Sequence, residues 1–207
     1  MIQVESSRWT EVEDEVMKLR RKGFGKFGLT DGDLIDEFDE AESCMHLVAR
    51  QYDGVPVGCS RLVFGLIDEL PISRLTGLAG VGELSAIPLA EASRFSVPPH
   101  PMSEVAKFSL WRTGLHLAME RQARKIVLST RLAGARAYES MLFEDFGEPG
   151  RYRHSKRGGR EHVSLYLNLD SVQQRFGARP QLYDYFFAAG DVPRLGRRNQ
   201  ITLNSSP

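Results

Sequence analysis

The sequence predicts a single-domain α/β fold, an α-β-α sandwich in which helices cover both faces of one twisted mixed sheet. Helical apolar spacing alternates along the chain with short strand-like runs. Two of those runs are joined by Asp53-Gly54, the strongest short hairpin signal present. No Gly-x-Gly-x-x-Gly turn stands between a strand and a helix, so a doubly wound nucleotide-binding fold would lack its phosphate loop. The 207 residues, 42 % hydrophobic, suffice for one sizeable core, expected over residues 1–189, with a flexible tail over 190–207.

Trp9, Val12, Val16 and Leu19 recur every three or four residues and predict a helix from Trp9 to Lys22. Gly23 to Asp33, rich in Gly and polar residues, predicts a mobile loop. Strands follow over Met45–Gln51 and Val55–Phe64. Leu66 to Ala90, broken by Pro71, Gly77, Gly80, Gly82 and Pro88, reads as a long functional loop with one helical turn. A short strand, Arg94–Val97, stops at Pro98-Pro99, which forbid helix and central pairing. Ser103 and Glu104 open the clearest helix, with Val105, Phe108, Trp111, Leu115 and Ala118 or Met119 as its apolar stripe. A strand over Lys125–Thr130, a helix over Gly134–Phe143, a strand over His162–Leu169 and a helix over Gln181–Ala188 complete the expectation.

Charge narrows the function. The 27 Lys and Arg balance the 27 Asp and Glu, which speaks against a nucleic-acid binder. Cys44 and Cys59 lack zinc-ligand spacing and read as reduced thiols of a cytoplasmic protein, a disulfide between them being the minor alternative. No metal site is expected. The first 20 residues contain acids and no apolar run, so neither a signal peptide nor a membrane span is expected.

Arg61 asks for partners. Strand alternation sets it on one face with Val57, Cys59 and Val63. If that face is core, a guanidinium is buried and needs carboxylates, and Asp36 and Asp39, three residues apart, suit an arginine fork. The alternative is that both acids belong to a solvated run from Asp31 to Glu42. Glu91 shares strand parity with Ser93 and Phe95, which offers a carboxylate beside a hydroxyl, a usable general base. Read blandly, Glu91 and Arg94 are surface charges at a strand edge. No Ser or Cys nucleophile with a paired His is evident, favouring direct transfer over an acyl-enzyme.

Taken in order, Arg20 with Phe24, Asp36 with Asp39, Gly58-Cys59-Ser60-Arg61-Leu62 and Glu91-Ala92-Ser93-Arg94-Phe95 resemble the motifs of the acyl-homoserine-lactone synthases, on an acetyltransferase-like fold. The resemblance implies attack of the S-adenosylmethionine α-amine on a fatty acyl thioester, followed by lactone closure, with no prosthetic group. It implies Glu91, Asp39 and Arg61 as the catalytic set, Glu91 taking the amine proton. Asp36 joins the network that positions the amino-acid part. Arg20 and Phe24 would bind or cover the adenosyl end, and Ser93, Arg94 and Phe95 would complete the substrate box. The implied donor is acyl carrier protein or acyl-CoA. A carrier protein would be steered by local cations at Arg121, Arg124, Lys125, Arg151, Arg153, Lys156, Arg157 and Arg160. The acyl chain would lie among Phe108, Trp111, Leu115, Tyr138, Met141 and Leu142, with Ser129 or Thr130 against a β-oxygen.

One departure bears on substrate. The family carries a Trp between the Phe and the Asp pair, whereas Phe27 is the one aromatic between Phe24 and Asp36. The related long-chain N-acyl amino acid synthases share a similar Glu-x-Ser-Arg box, giving a free amino acid as the alternative acceptor. A non-catalytic acyl-binding module is the third reading.

Overall fold

The computed structural model describes residues 2–154 and 159–187, so the predicted tail at 190–207 lies outside the described residues. One eight-stranded sheet organises the chain. Strands β1 (Ile2–Ser7), β2 (Cys44–Gln51), β3 (Pro56–Gly65), β4 (Leu89–Ser96), β5 (Lys125–Arg131) and β8 (Arg160–Asn168) stand side by side, and β6 (Glu144–Asp145) and β7 (Arg151–His154) both pair with β8. Every pairing is antiparallel except β4 with β5. That parallel joint needs the long crossover α3 (Ser103–Glu120). The mixed sheet is thus mostly antiparallel, and the expected fold class stands.

Helices α1 (Trp9–Phe24) and α2 (Asp31–Leu34) and the segment before β4 cover one face, around Val16, Val48, Cys59, Leu70 and Val63. Helices α3, α4 (Ala135–Glu139), α5 (Val172–Gly177) and α6 (Pro180–Phe187) cover the other, around Leu115, Leu128, Leu165, Phe176 and Phe186. Gly23 lets α1 touch β4. A Cβ there would stand 2.1 Å from Ser96 Oγ, which donates to the Leu19 carbonyl over 2.8 Å.

Several expectations are corrected. Gly23 to Asp33 is not a loop: α1 runs to Phe24, a 3-10 turn follows at Gly25–Phe27, and Gly28 reverses the chain at φ +71° before α2. Strand β1 has few apolar residues and was missed, because one apolar anchor, the buried Val4, suffices for an edge strand. Leu66 to Ala90 holds four 3-10 turns whose Ile67, Leu70, Ile72, Leu78 and Leu84 are buried, so it is a packed layer, and β4 already begins at Leu89.

The buried face of α3 carries Ala106, Leu110, Thr113, Gly114 and Leu117 beside Leu115 and Ala118, while Val105 and Phe108 of the predicted stripe are exposed. Small residues there let the helix lie close to the sheet, a signal that a search for large apolar residues passes over. A register shift between Ala49 and Arg50 turns Val57 to the α3 face, away from Cys59 and Val63. The helix expected to reach Phe143 ends at Glu139, with Leu142 at φ +69°. Both cysteines are free and buried.

Candidate active site

Strands β4 and β5 run in register from Leu89 beside Lys125 to Ala92 beside Leu128, and no further pairing joins them. Beyond that point Ser93, Arg94 and Phe95 form one lip of a parting and Ser129, Thr130 and Arg131 the other. On the β3 side, Cys59 opposes Ser96 and Arg61 opposes Ser93, so β4 carries one extra residue against Ser60. Arg94 sits in this bulge at φ +53°, a conformation that costs a side-chain-bearing residue about 1–2 kcal/mol.

The bulge resets the alternation. Glu91 and Ser93 keep the face shared with Arg61, but Phe95, predicted beside them, turns to the α3 face and stacks on Trp111 at 5.4 Å. Ser129 and Thr130 likewise part. Ser129 follows Val127 on the Glu91 face and shares a hydrogen bond of 2.7 Å with the Tyr152 hydroxyl. Thr130 lies on the α3 face with Leu128.

Under α1, four segments meet in one polar cluster. Asp39, 1 % exposed, accepts from Arg20 Nη1 at 2.9 Å and Nη2 at 2.7 Å, from Arg61 Nη1 at 3.0 Å and from the Asp36 backbone N–H at 3.0 Å. Asp36 accepts from Arg61 Nη1 on one oxygen and from Arg94 Nη2 at 2.7 Å on the other. Arg94 Nη1 donates to the Asp33 carbonyl at 2.6 Å, and Arg61 Nε to Ser93 Oγ at 3.1 Å. The two acids therefore belong to a buried network and not to a solvated run, which explains how Arg61 is accommodated at 1 % exposure.

Burial alone would raise both aspartates, but the arginine forks outweigh it. Arg61 and then Arg94 hold Asp36 down to about 2, and Arg20 and Arg61 hold Asp39 below the usual carboxylate range. Burial works against Arg61 too, yet Asp36 and Asp39 keep it charged. Both aspartates are therefore ionised at neutral pH.

Arg20 and Phe24 are placed differently from the expectation. Arg20 is fully buried, its fork spent on Asp39 and the Leu34 carbonyl, and Phe24 packs in the core beneath α1. Arg20 positions Asp39 from behind. His46, missed in the sequence, donates from Nε2 to the Asp39 carbonyl at 3.0 Å; burial drives its pKa down to about 4, so it is neutral. Hairpin register from Asp53-Gly54 sets His46 opposite Arg61, a signal that was available.

Glu91 stands at the base of the parting, buried, with its Oε2 accepting from the Ile72 backbone N–H at 2.6 Å. Burial is the largest influence on it and raises its pKa; the Ile72 N–H and Arg61 oppose this, leaving it at about 7. With Glu91 ionised, three carboxylates balance Arg20, Arg61 and Arg94. Such a carboxyl can accept a proton from an incoming ammonium near neutral pH.

On the α3 face, Phe95, Trp111, Tyr138 and Phe143 form an aromatic group beside a small apolar cavity lined by Trp111, Leu115, Ile126, Met141, Phe143 and Phe176 among others. Exposed Phe108 lies outside it. Five of the predicted surface cations are engaged: Arg121 lies over Phe64, Lys125 over Tyr166, and Arg124, Arg151 and Arg153 pair with Asp170, Asp145 and Glu161. Lys156 and Arg157 lie outside the described residues. Among the described residues no helix is long and apolar enough to cross a membrane.

The family model described as N-acyl amino acid synthase FeeM matches residues 15–158. No curated protein matches the chain in sequence. Among solved structures the chain is similar to FeeM, an N-acyl amino acid synthase from uncultured soil microbes, at TM-score 0.69 and 17 % identity, covering 84 % of this chain and 94 % of that one. It is similar to MesI, a CoA-dependent acyl-homoserine lactone synthase, at TM-score 0.58 and 17 % identity over 95 % and 100 % of the two chains. BjaI, a CoA-dependent acyl-homoserine lactone synthase solved with SAM and isopentyl-CoA, gives 0.54 and 12 % over 86 % and 90 %. At these identities the likenesses show the fold, which is acetyltransferase-like. On the strength of the family match, which spans well over half its length, the chain belongs to the FeeM family of N-acyl amino acid synthases.

Proposed function

We propose that this acyltransferase joins a fatty acyl group from a thioester to the α-amine of a free amino acid, with Glu91 as general base. The supporting observation is Glu91 itself, a buried carboxyl with a pKa near 7 at the base of the β4–β5 parting, beside a network that stays charged.

The amine cannot attack while protonated. Glu91 removes one proton, directly or through one water, and the amine adds to the thioester carbonyl. The tetrahedral intermediate expels the thiolate, which leaves as the thiol with the proton Glu91 took; the attacking nitrogen gives up its second proton to solvent water, and the neutral amide remains. Asp36, Asp39, Arg61 and Arg94, bonded to one another, keep the wall beside Glu91 rigid and charged, and holding both reactants in line supplies much of the rate. The acyl chain leaves the parting along Phe95 and Trp111, and the side chains around the small apolar cavity move apart to admit it. Acyl carrier protein or acyl-CoA serves as donor.

A second acceptor, S-adenosylmethionine, is favoured by the likeness to BjaI, solved with SAM. The family match and the single aromatic, Phe27, between Phe24 and Asp36 favour the free amino acid. Incubating purified protein with an acyl carrier protein thioester, then separately with an acyl-CoA, and with each L-amino acid or S-adenosylmethionine, distinguishes them by product mass and thiol release. Acyl amino acids are expected; an acyl-homoserine lactone overturns the leading reading, and no amide from either acceptor overturns both.

A further inference from the structure

Arg131 ends β5 on the same sheet face as Ser129, Ser93 and Glu91. Its guanidinium lies over the Phe27 ring, 4.3 Å from the ring centre. Arg20, Arg61 and Arg94 spend their forks on Asp36, Asp39 and backbone carbonyls. Among the described residues Arg131 meets no such acceptor, and stacking on a ring leaves the edge of the fork open.

We propose that Arg131 binds the α-carboxylate of the acceptor, facing Glu91 across the parting; the assignment rests on the α-amino-acid acceptor proposed above. A zwitterionic head needs a proton acceptor for its ammonium and a cationic fork for its carboxylate, a short fixed distance apart. Glu91 aligns with Val127, and Arg131 lies four residues further along β5, about 13 Å at the usual strand rise. That distance leaves room for a compact head group between the tips of a glutamate and an arginine. Ser129 and Tyr152, bonded to each other at 2.7 Å, put hydroxyls near the same lip. Phe27 fixes the plane of the guanidinium from the 3-10 turn that follows α1, so the fork is oriented before substrate arrives.

Free amino acids and S-adenosylmethionine both carry this carboxylate, so the test runs on each. Steady-state kinetics compare wild type with Arg131→Ala and Arg131→Gln, using the best free amino acid, its carboxamide and S-adenosylmethionine as acceptors at saturating acyl thioester. Losing a charge-assisted fork should raise KM for the carboxylate-bearing acceptor about 10- to 100-fold, with kcat and the thioester KM nearly unchanged. The wild-type carboxamide should already carry that handicap, and the variants should not worsen it. An unchanged KM for the acid, or equal losses for acid and carboxamide, overturns the subsite and leaves Arg131 as packing for Phe27. If S-adenosylmethionine alone turns over, its KM reads the same effect, so the free-amino-acid reading fails while the subsite stands. If calorimetry with the full chain also finds no binding of either acceptor, both fall.

Discussion

The backbone N–H of Ile72 donates to Glu91 over 2.6 Å, tying the catalytic candidate to a buried residue of the segment between β3 and β4. A carboxylate buried behind one amide donor is stabilised too little to ionise at its usual pH, which is how the fold holds this glutamate near 7.

Activity should follow that ionisation. kcat/KM rises with pH through a midpoint near 7, where Glu91 loses its proton, and Glu91→Gln lowers kcat about 10²- to 10⁴-fold and removes this limb from the pH–rate profile. An acidic limb that persists in the Gln variant assigns the base elsewhere.

Stability should move the opposite way. The folded pKa of Glu91 lies above its reference of 4.5, so the folded state binds the proton more tightly, and its contribution is lost as pH climbs from about 4.5 to 7. Glu91→Gln should therefore be more stable than wild type at pH 8, by up to about 3 kcal/mol, and comparable at pH 4. Urea unfolding at the two pH values measures it.

Ser93 also helps hold the Glu91 pKa down. Ser93→Ala should shift the pH–rate midpoint above 7, with Arg61 losing the acceptor at its Nε.

Asp39→Asn leaves Arg20 and Arg61 without their shared anion and should cost about 3–5 kcal/mol in chemical denaturation. The wild-type contributions of Asp36 and Asp39 have the sign of depressed carboxyls. They are complete above the reference value of 3.8 and vanish as pH falls through the folded values, about 2 for Asp36.

Arg94 combines an unfavourable φ of +53° with a bond to Asp36. Arg94→Ala and Arg94→Gly lose the same bond, but glycine relieves the backbone, so the Gly variant should be about 1 kcal/mol the more stable. Equal unfolding midpoints would show that the bulge carries no strain.

The sequence made the charged cluster legible through one physical constraint. A guanidinium in the middle of the strand holding Arg61 must find acids, and Asp36 and Asp39 were spaced to receive it. Hairpin chemistry at Asp53-Gly54 and the alternation at Glu91 and Ser93 were legible for similar local reasons. What escaped depended on backbone or on packing. The Ile72 N–H has no side-chain signature, and the left-handed turn at Arg94 sent Phe95 to the opposite face. Arg20 looked like a ligand-facing cation because its spacing to Phe24 says nothing about what lies beneath α1. The small residues that seat α3 carry little hydrophobic signal, so its large exposed Val105 and Phe108 drew the wrong face.

The buried charges are contributed by residues from Arg20 to Arg94, which has a consequence during synthesis. A nascent chain that has emerged only as far as β3 holds Arg61 but not the bulge that completes its surroundings, and β4 itself is laid beside β5 only after the crossover has been translated. Every residue of the charged cluster has therefore emerged before α3 is complete, whereas the β5 lip of the parting arrives only afterwards, and a truncation before β5 should yield an inert, protease-sensitive fragment.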